Sequence, residues 1–202
     1  MRGVKMKRVL GLLIAMSVLV VLSPVAIIIV VLVYLKLGCP IFFTQQRPGL
    51  HGKPFVIYKF RTMLTPSSDD LLYHGDAERM TGLGWLLRSS SLDEIPQLWN
   101  VIRGDMSLVG PRPLLMEYLP LYNDRQMRRH DVRPGITGWS QVNGRNNISW
   151  KTKLEFDVWY VENRSLILDI KILLMTIRKV LKRENIVTDK HATSERFEGN
   201  NE

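Results

Sequence analysis

The chain begins with one long apolar run and continues as shorter amphipathic segments punctuated by proline and glycine. From Val9 to Leu35 about 27 consecutive residues carry no charge, more than the ~20 that a membrane-crossing helix needs. Ser23-Pro24 sits mid-run, where proline removes a backbone donor and crowds the preceding turn. Pro40 closes the segment. Ile41–Gln45 and Phe55–Met63 are β-like and flank Pro48-Gly49 and Gly52, which predicts a hairpin. Residues 64–77 read as a polar loop, followed by helices over 78–89 and 92–103. In the second of these, Ile95, Leu98, Trp99 and Ile102 recur at i, i+3, i+4, i+7, and Gly104 is placed to end it.

Pro111 and Pro113 hold Arg112 in a stiff, extended segment. A short helix is expected near 114–122, then a turn-rich stretch from Arg133-Pro134-Gly135 to Asn143-Gly144-Arg145. Ser149 can cap a helix that reaches Glu162. The last helix, 166–183, sets Leu166, Ile170, Leu173, Leu174, Ile177 and Leu181 against Lys171, Arg178, Lys179, Lys182 and Arg183. That basic amphipathic pattern suits a membrane surface, and a core-facing helix carries a similar one. Residues after Glu184 are polar and read as loose. The expected fold class is mostly α with a small β-hairpin (α+β). It comprises a membrane segment over 1–38, a compact domain over 39–185 with interfacial amphipathic helices, and a polar tail over 186–202.

Charge changes the reading of the apolar run. No acidic residue precedes Asp69, whereas Arg2, Lys5, Lys7, Arg8, Lys36, Arg47, Lys53, Lys59 and Arg61 all do. Those nine account for the formal charge of +9, and the remainder balances at 19 basic and 19 acidic groups. A basic end on a neutral body fits nucleic acid or an anionic membrane. The basic residues flank an apolar run, and the aromatic-plus-basic signature of an RNA-binding sheet is missing, so the membrane is preferred and nucleic acid is not. Basic flanks stay on the cytoplasmic side, and here both flanks are basic. A re-entrant helix, broken at Ser23-Pro24 and returning to the cytoplasmic face, satisfies both, with the Ser23 hydroxyl serving a carbonyl freed at the break. Cys39 is the sole cysteine, which excludes an internal disulfide. Lys36-Leu-Gly-Cys39 faintly resembles a lipoprotein cleavage site, but Lys36 is wrong for its apolar position, so an unmodified thiol is expected.

Candidate chemistry concentrates in Arg88 to Pro113. Asp93 and Glu94 open a predicted helix, where the partial positive charge favours ionised carboxylates. An ionised Asp is a competent nucleophile, and a neighbouring Glu can hold a hard divalent cation. Arg88 and Arg112 can grip phosphates through the guanidinium fork. Against this, Ser91-Leu-Asp-Glu94 also spells a capping box, in which Glu94 only satisfies a backbone donor. His130 has nothing to pair with as a base.

A longer set of motifs settles the preference. Lys59-Phe-Arg-Thr-Met63, Ser91-Leu-Asp-Glu-Ile-Pro-Gln-Leu98, Gly104-Asp-Met-Ser-Leu-Val-Gly-Pro-Arg-Pro113 and Arg133-Pro-Gly-Ile-Thr-Gly-Trp-Ser-Gln-Val-Asn-Gly-Arg145 occur in order. The chain thereby resembles the bacterial sugar transferases, the monotopic phosphoglycosyl transferases, over about residues 4–185, in the minimal form without their larger members' multi-span region. The resemblance implies an enzyme at the cytoplasmic face of the bacterial inner membrane. It implies transfer of a sugar-1-phosphate from a UDP-sugar to undecaprenyl phosphate with release of UMP, through an Asp93-phosphosugar intermediate. It further implies Mg2+ on Glu94, and substrate contacts from Lys59, Arg88, Arg112, Pro113 and Arg145. Asp157 and Asp169 are expected as partners of arginines. UDP-diacetylbacillosamine, for N-glycan assembly, is the expected donor; UDP-GlcNAc, UDP-Gal or UDP-Glc, for exopolysaccharide or O-antigen, is the alternative. A membrane-anchored scaffold with a capped helix, and a polytopic transferase without a covalent intermediate, are the rival readings.

Overall fold

The computed structural model describes residues 2–65, 79–144, 148–182 and 196–200. It is mostly helical, with one long apolar N-terminal helix and a two-stranded antiparallel sheet. Helix α1 (Arg2–Leu37) runs through Pro24 without a gap. Proline leaves the Val20 carbonyl without its usual amide, and the Ser23 hydroxyl donates to that carbonyl at 2.8 Å. The expected break is therefore carried inside a continuous helix. Ala15, Ile29 and Val33 are buried in the main core, while Val20 and Val21 near the proline are 72% and 73% exposed.

Both ends of α1 are fastened to the same body. Near its start, the Lys7 ammonium meets the Asp169 carboxylate at 2.7 Å and the Tyr160 hydroxyl at 2.6 Å. The Arg8 guanidinium donates to the carbonyls of Val101 and Ile102. At its other end, the buried Arg61 donates to the carbonyls of Leu37, Gly38 and Cys39, satisfying a helix C-terminus that would otherwise be orphaned.

Strands β1 (Phe42–Pro48) and β2 (Pro54–Phe60) form the expected hairpin, in a register from Phe42 opposite Phe60 to Pro48 opposite Pro54. Stacking of Phe42 on Phe60, centroids 5.5 Å apart, steadies its open end. Most of the expected polar loop 64–77 and the start of the 78–89 helix lie outside the described residues. Helix α2 (Gly82–Ser89) is capped by Thr81, whose hydroxyl accepts the Gly84 amide at 3.0 Å. Gly84 allows close approach: a Cβ there would stand 1.9 Å from the Thr62 carbonyl oxygen, locking α2 against the end of the hairpin.

The helix expected over 92–103 is instead a 3-10 turn, Leu92–Glu94, followed by α3 (Gln97–Arg103). Pro96 supplies no amide to continue a single ladder, and Ser91 takes a left-handed φ of 57°. Of the predicted apolar stripe, Ile95 and Leu98 are buried and Ile102 half-buried, but Trp99 is exposed. Gly104 ends α3 in the left-handed conformation, as expected.

Strand β3 (Ser107–Val109) pairs in parallel with β4 (Gly135–Thr137), a pairing that the sequence reading missed. The helix expected near 114–122 is a 3-10 segment, Met116–Leu121. Short helices α4 (Asp124–Met127) and α5 (Trp139–Asn143) precede α6 (Trp150–Asn163), which Ser149 caps on the Thr152 amide, and α7 (Leu166–Lys182). The tail departs from expectation at Phe197. Residues 196–200 are fixed, with Phe197 buried against Tyr118, Tyr122 and Trp150. Burial of this ring, with the Arg196–Glu117 ion pair and the Asn200 side-chain amide donating to the Leu121 carbonyl at 3.0 Å, holds the stretch to the body.

Candidate active site

The sequence-predicted acids and cations converge where the end of β2, the 3-10 turn and the Arg112 segment meet. Lys59, next to last in β2, reaches the Glu94 Oε1 at 2.6 Å and the Asp93 Oδ2 at 4.0 Å. Arg112 Nη2 donates to the same Glu94 oxygen at 2.9 Å. Asn100 sets the β2 end of this arrangement. Fully buried in α3, its amide donates to the Val56 carbonyl at 2.7 Å and accepts the Tyr58 amide at 3.2 Å.

This geometry disposes of the capping reading. Ser91 makes no side-chain cap, and Glu94 is turned toward Lys59 and Arg112. Asp93 is buried at 6% exposure. Burial and then the charge of Glu94 push its carboxyl up to about 6, against the opposing pull of Lys59, Arg112 and Arg88. Burial would raise Glu94 too, but Lys59 and Arg112 outweigh it and hold that carboxyl well below the usual carboxylate range. Adjacent acids in one turn are thus driven apart in proton affinity, the pattern of groups with different tasks. Above neutrality both are charged; near pH 6 only Asp93 changes state.

Arg88 contributes at longer range, held by the Thr62 hydroxyl at 3.1 Å and the Met63 sulfur at 3.3 Å. Arg112 is anchored from behind by its own backbone. The fully buried Arg129 donates to the Arg112 carbonyl at 2.7 Å and to the Asp157 Oδ2 at 2.7 Å, and the Ser140 hydroxyl completes the Asp157 carboxylate at 2.7 Å. Asp157 is therefore the arginine partner expected. Asp169 is not; its partners are Lys7 and the Tyr160 hydroxyl, because α7 returns beside the start of α1. Pro113 is buried and stiffens the Arg112 segment, and it is not among the residues that line the adjoining cavity. Arg145 lies outside the described residues. His130 is buried, with its ring held down to about 4 by burial and then by Arg129, so it stays neutral away from the acids.

A cavity of about 200 Å³ opens beside Glu94 and Arg112 and reaches Gln141, Thr176 and Lys179. None of those three was given a site role from the sequence, although Gln141 lies in the last motif and Lys179 on the basic face of the last helix. The Gln141 Oε1 is buried with no hydrogen-bond partner among the described residues, a signal visible only after folding. For a metal, the donor set is sparse but suitable. Among the described residues no cluster of three ligating side chains exists, and the hydrogen bonds of Lys59 and Arg112 both fall on the one Glu94 oxygen, Oε1. That fits Mg2+, which is held by one or two carboxylates and takes its remaining ligands from substrate phosphates and water.

Comparison with known proteins bears on what such a site does. The family described as bacterial sugar transferase matches residues 2–183. The chain belongs to the bacterial sugar transferase family. It is 55% identical to the uncharacterized sugar transferase EpsL of Bacillus subtilis, over 96% of both chains. It is 40% identical to the UDP-galactose-lipid carrier transferase of Erwinia amylovora and 36% identical to the UDP-glucose:undecaprenyl-phosphate glucose-1-phosphate transferase of Klebsiella pneumoniae. In these two, 89% of this chain aligns but spans only 41% of the relative. As a family member the protein is an enzyme, a sugar-phosphate transferase.

Proposed function

We propose that this protein transfers a hexose-1-phosphate, from UDP-galactose or UDP-glucose, to undecaprenyl phosphate at the cytoplasmic face of the inner membrane, as a first step in polysaccharide assembly. The observation that carries the reading is the buried Asp93, raised to about 6, beside a Glu94 clamped by Lys59 and Arg112. Galactose and glucose replace diacetylbacillosamine as the preferred sugar because they stand in the names of relatives aligned over 89% of the chain.

In the first half-reaction the Asp93 carboxylate attacks the β-phosphorus of the UDP-sugar. A bond forms between an Asp93 carboxylate oxygen and phosphorus, giving an acyl phosphate, the bridging phosphorus–oxygen bond breaks, and UMP departs with the electron pair. In the second half-reaction an oxygen of undecaprenyl phosphate attacks the same phosphorus and releases Asp93 as carboxylate. Lys59 and Arg112 offset the phosphate charge, and Arg129 keeps Arg112 in place to do so. Mg2+ on Glu94, when bound, would neutralise the diphosphate and the departing UMP. Vesicles holding the enzyme and undecaprenyl phosphate should release UMP fastest with UDP-galactose or UDP-glucose. Fastest release from UDP-diacetylbacillosamine overturns the sugar, and none from any UDP-sugar overturns the reaction class.

The reading includes a re-entrant α1, with both ends cytoplasmic. It is supported by basic flanks on both sides and by the fastening of Lys7, Arg8, Leu37 and Gly38 to one body. A straight helix of 36 residues would be about 54 Å long and would part those ends. The α7 face of Ile170, Leu174 and Ile177 is exposed, as an interfacial helix requires. In cells carrying a Cys39→Ser background, cysteines placed at residues 2 and 50 should both resist a membrane-impermeant reagent added from outside. Labelling of residue 2 alone from outside makes the helix spanning.

A further inference from the structure

A second cavity, about 400 Å³, shares no lining residue with the first. It lies between the opening turns of α1, Val101 near the end of α3, the start of β3, Arg133, and the α6–α7 junction at Arg164. Lys7, Arg8, Arg133 and Arg164 line it, and among the described residues no acidic side chain does. Its remaining walls include Met6, Met106, Val132 and Leu166, and the neighbouring Val9 and Ile167 are exposed. The result is a cationic floor with an apolar rim.

Local structure explains only part of this charge. Asp169 neutralises Lys7. Arg8 caps the Val101 and Ile102 carbonyls, and the Arg133 Nε donates to the Gly104 carbonyl at 2.7 Å, so both close the C-terminal turn of α3. Those bonds leave the two terminal nitrogens of Arg133 without a hydrogen bond among the described residues, and Arg164 with neither hydrogen bond nor ion pair among them. Arg133 is held in place by its one bond, so its free nitrogens are presented rather than folded away. Guanidinium nitrogens in this state match phosphate oxygens in geometry and charge. Their position selects the source of the phosphate, because the cavity lies at the first turns of the apolar helix, where a basic flank meets lipid headgroups.

We propose that this cavity binds the phosphate headgroup of an anionic phospholipid, with Arg133 and Arg164 as the chief contacts and Met6 and Leu166 against its glycerol and first acyl carbons. The site is separate from that of the transferred sugar, and it draws on the membrane reading but not on Asp93 chemistry. It would fix the body's height and tilt at the leaflet.

The test is native mass spectrometry of the full-length protein, released from mixed micelles of equal phosphatidylglycerol and phosphatidylcholine. Wild type should retain one phosphatidylglycerol with a preference of at least about tenfold, as two cations near a headgroup imply. Arg133→Gln/Arg164→Gln should bring the two lipids to near parity. Arg164→Gln alone, which breaks no internal bond, should lower the preference several-fold, so a fold defect at Gly104 cannot imitate the result. Millimolar inorganic phosphate should leave retention unchanged; displacement by it would make this a free-anion site. Equal retention of both lipids by wild type, or an unaltered preference in Arg164→Gln, overturns the proposal. UMP release by Arg164→Gln, assayed in detergent, separates the outcome from the catalytic reading.

Discussion

Asp93→Asn is expected to fold, to form no phosphosugar adduct, to release no UMP, and to be more stable than wild type at neutral pH. The substitution keeps volume and removes the attacking oxyanion. Its stability effect follows from the burial of that charge. Keeping an ionised carboxylate where its pKa is about 6 rather than 3.8 costs up to about 3 kcal/mol of folding free energy. The sign is set by the raised value. The cost is absent below ~pH 4, grows as the carboxyl ionises, and is complete above ~pH 6. Thermal melts of the two proteins should coincide in acid and separate at pH 7, with the variant higher. A helix cap predicts the opposite, a loss of ~1 kcal/mol with turnover intact. The wild-type protein supplies the complementary observation. Given UDP-sugar and no acceptor, it should gain one phosphosugar mass on Asp93 and release a burst of UMP, whose rate falls about tenfold per pH unit below ~6. Acceptor-dependent release without an adduct would favour direct transfer.

What could be read in the sequence was what depends on neighbours along the chain. The hairpin, the Ser149 cap, the Gly104 stop, and helices α6 and α7 all follow from local pattern and appear where expected. The acid pair was legible as chemistry, but its environment was not. Ser91 and Glu94 have capping-box spacing, and only the tertiary approach of Lys59, 35 residues before Glu94, turns the carboxylate away from its own backbone. Likewise nothing in Met127-Arg-Arg-His130 marks which arginine is buried. Arg129 becomes the internal anchor because Asp157 and the Arg112 carbonyl meet it from distant segments. The three-residue strands β3 and β4 are too short to show a period. They exist because Gly110 and Gly135 let two backbones touch: a Cβ on Gly135 would lie 2.1 Å from the Gly110 nitrogen. Trp99 fits the helical stripe in sequence, yet the split at Pro96 shortens the helix and leaves the indole exposed.

Glu94→Gln is expected to lower turnover by about two to three orders of magnitude while the protein remains folded. The reasoning begins with what surrounds the carboxylate. One oxygen accepts from both Lys59 and Arg112, at 2.6 and 2.9 Å, so the amide leaves two cations facing a neutral carbonyl where a full negative charge stood. Lys59 is then free to move toward Asp93, from which it stands 4.0 Å. Loss of the Glu94 charge also removes one of the two influences that raise Asp93. The pKa of Asp93 must therefore fall, and the acid limb of the pH–rate profile should move below its wild-type midpoint even as the maximum collapses. General misfolding would lower the plateau without moving that limb. A third reading addresses the cation. If Glu94 holds Mg2+, EDTA should abolish UMP release by wild type and added Mg2+ should restore it. The variant should then need a markedly higher Mg2+ concentration to reach half of its reduced rate. Wild-type activity indifferent to EDTA would remove the metal from Glu94 and leave this carboxylate only its task of positioning Lys59 and Arg112. An EDTA-sensitive wild type with unchanged Mg2+ dependence in the variant would move the metal to Asp93 and the substrate.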